Sequence, residues 1–94
     1  MPTDMGAAMR AMEQRIDDGD RANSMAVGVW ADDPAAPGIM AIVLAGNLHT
    51  LYVSSRYRSK LPPRALKDAT DAVVLNAYLA CHDDRQRLRA EMNV

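Results

Sequence analysis

The clearest pattern in the chain is a pair of strand-like apolar runs, Ile39-Met40-Ala41-Ile42-Val43-Leu44-Ala45 and Leu48-His49-Thr50-Leu51-Tyr52-Val53-Ser54, split by Gly46-Asn47. A Gly-Asn pair between such runs predicts a two-residue hairpin, because glycine supplies the positive φ that the turn demands. Upstream, Met25, Val27 and Val29 alternate with Ala26, Gly28 and Trp30, which predicts a first strand over 24–30. Between them, Asp32-Asp33-Pro34-Ala35-Ala36-Pro37-Gly38 is a run of turn formers whose two prolines predict an ordered loop.

Helical spacing flanks these strands. Asp4 is a predicted N-cap for Met5, Ala8, Met9, Met12 and Ile16, with Arg10, Glu13, Gln14 and Asp17 falling largely between them. Asp17-Asp18-Gly19-Asp20 is predicted to end that helix, with Gly19 just past its C-terminus and the acids opposing the helix dipole. After the hairpin, Arg56-Tyr57-Arg58-Ser59-Lys60 leads into Leu61-Pro62-Pro63, and the prolines place the next helix start at Pro63. From Ala65 to Cys81 the charges are Lys67, Asp68 and Asp71, and the second half is apolar nearly all round, which implies burial on more than one side. Beyond it, Asp83–Arg87 and Arg87–Glu91 stand at the supportive i,i+4 spacing. A continuous helix from Pro63 to Met92 would run ~45 Å, so the pattern predicts either a break near His82-Asp83 or a projecting end.

The expected fold is therefore α+β: a helix, a three-stranded antiparallel meander and a helix (α-β-β-β-α), both helices on one sheet face, in a single domain spanning 1–94. Both residue sets of the hairpin, Ile42/Leu44 and Ala41/Val43, are apolar. Whichever set faces away from the helices calls for a second layer, and a homo-oligomer, a dimer first, is the expectation.

Composition sharpens this picture. Of 94 residues 49% are hydrophobic, yet there is no Phe, one Trp and three Tyr against seven Met. Alanine and methionine must fill much of the core, which favours close helix packing with little aromatic anchoring. The net charge of −1 argues against a surface built wholly for phosphate backbones. Cys81, a lone cysteine, implies a reducing, cytoplasmic setting. No stretch reaches the ~18 apolar residues of a membrane span, and the start lacks the order of a signal peptide.

Candidate chemistry is sparse. His49 and His82 have no ligand spacing, Ser54, Ser55 and Thr50 have no activating acid–histidine pair, and no metal or cofactor is expected. The acids around Gly19 lack the spacing of a calcium loop. The strongest local feature is the basic segment Arg56, Tyr57, Arg58, Lys60, Arg64 and Lys67, where the third strand passes into the last helix and its unpaired N–H groups. In element order, and in Ser59-Lys60 with Arg64-Ala65-Leu66-Lys67-Asp68-Ala69, the chain resembles a double-stranded-RNA-binding domain, though Leu61-Pro62-Pro63 replaces that family's lysine cluster. The resemblance implies that Lys60, Arg64 and Lys67 touch phosphates, largely by shape.

The first expectation is nevertheless a non-enzymatic regulator or inhibitor that occupies a surface of another macromolecule. It resembles in scale the small phage and mobile-element proteins, anti-CRISPR proteins among them. Asp17, Asp18, Asp20, Asp32 and Asp33 are candidate contacts to a basic partner such as a nucleic-acid-binding complex. A nucleic-acid-binding module using the basic segment is the alternative.

Overall fold

A computed structural model describes residues 7, 9, 10 and 20–92. Residues 20–25 are the described end of the first helix, α1, followed by β1 (Val27–Ala31), β2 (Ile39–Leu44), β3 (Asn47–Val53), α2 (Ser55–Lys60) and α3 (Pro63–Glu91). The strands form one antiparallel sheet in the order β1-β2-β3. The α+β order matches the reading of the pattern, with α2 as an added element.

Three local differences have physical causes. Helix α1 holds residues 20–25, so Ser24 and Met25, which the alternation had assigned to the first strand, are helical. Of the predicted stop at Asp17-Asp18-Gly19-Asp20, the first three residues lie outside the described ones, and Asp20 is helical, not past the helix end. The hairpin turn is Ala45-Gly46, one residue earlier than Gly46-Asn47, with φ of 52° and 81°. Two consecutive positive φ values are what a turn matching the strand twist requires, and Ala45 is held there by its N–H donating to the Ala26 carbonyl at 2.9 Å. Finally, Arg56 to Lys60 is helical because Ser54 caps it, its Oγ accepting from the Tyr57 N–H at 3.2 Å.

Helix α3 begins at Pro63 as the prolines dictate and runs unbroken for 29 residues. It does not break near His82-Asp83. The anticipated Asp83–Arg87 pair is replaced by Asp84–Arg87 at 2.7 Å, alongside Arg87–Glu91 at 2.8 Å. Asp84 is spoken for on its other oxygen as well, accepting from the Val27 N–H at 2.9 Å and so tying the start of β1 to the helix. That hydrogen bond, and then Arg87, hold the Asp84 carboxyl below its ordinary range.

One face of α3 lies on one face of the sheet. Val73, Ala77 and Cys81, spaced one turn apart, meet Ile39, Ala41 and Val43 of β2, and all six are buried. Leu66 and Leu88 extend the contact towards both ends of the helix. The fit is close because the residues are small. At Gly28 an added Cβ would overlap the Ala77 carbonyl oxygen and the Cys81 nitrogen and come within 2.8 Å of the Cys81 Cβ. The Cα radius of gyration is 19.4 Å, with extents of 73 × 22 × 14 Å, against about 12 Å for a compact chain of this length.

Gly28→Ala is expected to destabilise the fold by at least the ~1–3 kcal/mol typical of overpacking, because the groups it meets are backbone atoms that cannot rotate away. Urea unfolding of the two proteins measures this. An unchanged midpoint would mean that β1 and α3 do not meet as closely as described.

Candidate interaction surfaces

Strand alternation sorts the sheet into two faces. Gly28, Ile39, Ala41 and Val43 point to α3, whereas Val27, Val29 and Ala31 of β1, Met40, Ile42 and Leu44 of β2, and Thr50 and Tyr52 of β3 share the opposite face. Register joins them into a continuous surface: Val29 is opposite Ile42, which is opposite Thr50, and Met40 lies between Ala31 and Tyr52. None of these side chains is charged, and no described element covers them. Val29 is 52% and Tyr52 48% exposed. A shift in the β2–β3 register between Ile42 and Val43 leaves His49 unpaired as the extra residue of a bulge, where its Nδ1 meets the Thr50 hydroxyl at 2.7 Å.

At one end this face deepens into a hollow of about 410 Å³ lined by Val29, Trp30, Ala31, Pro34, Pro37 and Met40. Its wall is the Asp32–Gly38 loop, and Asp32 organises that loop. Asp32 Oδ1 accepts from the backbone N–H of Asp33 at 2.9 Å, Gly38 at 2.9 Å and Ile39 at 3.0 Å. The Tyr57 hydroxyl donates to the same carboxylate, and the Tyr57 ring lies so close to Gly38 that any Cβ there would overlap it. Partial burial works against ionisation, but the Tyr57 hydroxyl and then the Ile39, Gly38 and Asp33 N–H groups outweigh it, bringing the carboxyl down to about 2. Asp33 accepts from the Ala35 N–H at 3.0 Å. The two loop acids therefore build the loop, and Tyr57 is its clamp, turned inward from the other members of the basic segment.

The remaining basic residues are exposed. Arg56 and Lys60 are four residues apart on α2 and share a face, Arg58 lies half a turn away, and Arg64 stands in the first turn of α3. Lys67 is paired with Asp71 at 2.8 Å. Asp20 is exposed, and Asp17 and Asp18 lie outside the described residues.

A second apolar surface, unnoticed as such in the sequence, is the outer side of α3. Leu75 and Leu79 are one turn apart and 59% and 52% exposed, with Ala72 beside them and Asp68, Asp83 and Gln86 around them. The apolar girth of this helix had implied burial on several sides, but the described residues cover α3 on one. Among the described residues no three His, Cys, Asp or Glu side chains gather as they would around a metal ion, and no helix is long and apolar enough to cross a membrane. No family model, curated protein or solved structure matches the chain.

Because the Asp32 carboxyl titrates lower in the folded chain than its ordinary 3.8, it contributes stability that is fully present above pH 3.8 and lost as the pH falls towards about 2. Asp32→Asn is expected to lower the melting temperature at pH 7 and to flatten the acid limb of the stability profile in that window. A variant whose acid limb is as steep as the wild type's would remove Asp32 as the organiser of the loop.

Proposed function

We propose that this chain is a non-enzymatic interaction protein, a small regulator or inhibitor that acts in the cytoplasm as a homodimer by occupying the surface of another macromolecule. The observation that carries the reading is the uncharged sheet face, which no described element covers. An apolar face of this kind is a liability in a free monomer, and a second copy presents a face of the same chemistry around a two-fold axis. Three strands of up to 7 residues, at ~3.3 Å per residue and ~4.8 Å between strands, give a face of roughly 300 Å² in plan. A usual interface covers ~800 Å² per partner. The dimer must therefore extend beyond the strands, and the adjoining hollow rimmed by Trp30, Pro34 and Pro37 is the natural extension.

Pairing through the sheet leaves the outer side of α3 for the partner. Leu75 and Leu79 supply an apolar centre and Asp68 and Asp83 an acidic surround, which suits a partner whose own apolar spot is ringed by basic residues, as on a protein that handles nucleic acid.

Val29→Arg, at an exposed edge-strand position, is expected to convert a dimer into a folded monomer in sedimentation at micromolar concentration. Leu75→Glu with Leu79→Glu is expected to leave the dimer intact and abolish nuclease-resistant capture of the partner. A wild-type protein that sediments as a monomer would end the dimer reading.

A second reading rests on one observation: Arg56, Arg58, Lys60 and Arg64 have no acidic partner among the described residues. As a nucleic-acid module, the chain would bind duplex RNA with an affinity that falls steeply with salt, and Lys60→Glu with Arg64→Glu would abolish binding. Salt-independent binding, or an unaffected double variant, would remove this reading.

A further inference from the structure

On the side of the sheet that α3 covers, three elements meet around a pocket of about 180 Å³. Asn23 of α1, Ala26, Gly46 of the hairpin turn, and Tyr78, Cys81, His82 and Arg85 of α3 line it. The polar groups on its wall share one feature, a surplus of donors. Arg85 forms no ion pair among the described residues. Its guanidinium donates from Nη1 to Asn23 Oδ1 at 3.4 Å and from Nη2 to His82 Nδ1 at 2.9 Å, both neutral acceptors. Its Nε is shielded from solvent and has no hydrogen-bond partner. A half-buried cation without a counter-ion and with an orphaned N–H is costly to maintain.

The neighbours point the same way. A guanidinium cannot accept a hydrogen bond, so His82 Nδ1 must be the bare nitrogen and the ring N–H of the neutral imidazole sits on Nε2. The Tyr78 hydroxyl oxygen accepts from the Leu48 N–H at 3.2 Å, which leaves its own hydrogen to donate. With Oδ1 of Asn23 engaged by Arg85, the amide NH₂ of that residue remains a donor. Among the described residues no carboxylate lines the pocket, and Ala26 and Cys81 give it an apolar floor.

We propose that this pocket binds a small organic carboxylate, with the carboxylate at Arg85 and Tyr78 and a short apolar body over Ala26 and Cys81. The charge count favours a carboxylate over a phosphate: one guanidinium among neutral donors balances a monoanion and leaves a dianion uncompensated. The incoming oxygens neutralise the guanidinium through its remaining Nη hydrogens, and a small turn of the Arg85 side chain towards them gives Nε its missing partner.

Titration with butyrate, followed by ¹H–¹⁵N correlation NMR at constant ionic strength against sodium chloride, tests this. Saturable shifts are expected at the amides of Asn23, Gly46 and Cys81, with none from chloride. Arg85→Gln, checked for an otherwise native spectrum, is expected to abolish saturation. Tyr78→Phe, which removes the hydroxyl together with its hydrogen bond from the Leu48 N–H and is likewise checked for an otherwise native spectrum, is expected to weaken binding several-fold and serves if the arginine variant fails to fold. Absence of saturable shifts in the wild type, equal shifts with chloride, tighter binding of inorganic phosphate than of butyrate, or unchanged binding in Tyr78→Phe would each overturn the assignment.

Discussion

The contact on which the rest of this structure depends is backbone against backbone: β1 at Gly28 against α3 between Ala77 and Cys81. Only a residue without a Cβ allows that approach, and the small buried residues Ala26 and Ala41 let the helix settle along the sheet. The consequence is a thin core. Among the described residues, Ile39 and Val43 are the largest side chains that are fully buried, and each such burial contributes ~1.5–3 kcal/mol. Close packing of small groups has replaced the aromatic bulk that this composition lacks.

Among the described residues, a thin core with one helix layer leaves the opposite face of the sheet uncovered, and there the larger apolar residues are found: Val29, Met40, Ile42 and Tyr52. The division is lopsided in a telling way. The inward set of β2 is Ile39, Ala41 and Val43, and the outward set is Met40, Ile42 and Leu44, which is the bulkier. A sheet meant to be wet on that side would carry polar residues at those alternate positions. The same asymmetry recurs on α3, where Ala77 and Cys81 face in while Leu75 and Leu79 face out. Size is spent outside the chain, which is the argument for surfaces completed by other molecules.

Much of this fold was legible because its signals are local. The alternation of 39–44 and 47–53 and the prolines before Arg64 depend on near neighbours, and the strands and the start of α3 follow them. What could not be read depends on distant residues. Which face of β2 points inward is undecidable when both are apolar, and it is decided by Gly28, a residue whose role appears only once α3 is laid across it. The turn moved to Ala45-Gly46 because Ala26, far away in sequence, accepts a hydrogen bond there. Tyr57 looked like part of a basic segment, but Asp32 and Gly38 lie beside it in space, and it became a loop clamp. The Arg85 pocket had no sequence signal, since Asn23, Gly46 and Arg85 belong to no common pattern.

The charged end of α3 shows how the same helix can serve stability on one side and recognition on another. Asp84 faces the sheet, where the Val27 N–H and Arg87 satisfy both of its oxygens. One residue further on, Arg85 lines the pocket that Gly46 of the hairpin turn also lines, and finds neutral partners. A sequence built solely for stability could place an acid beside Arg85, at Asn23 for example, and gain a charge-assisted bond. Asparagine there accepts a hydrogen bond without cancelling the charge. The arginine is thus positioned by its neighbours while its attraction for an anion is preserved, the arrangement expected where the missing counter-ion arrives from outside the chain.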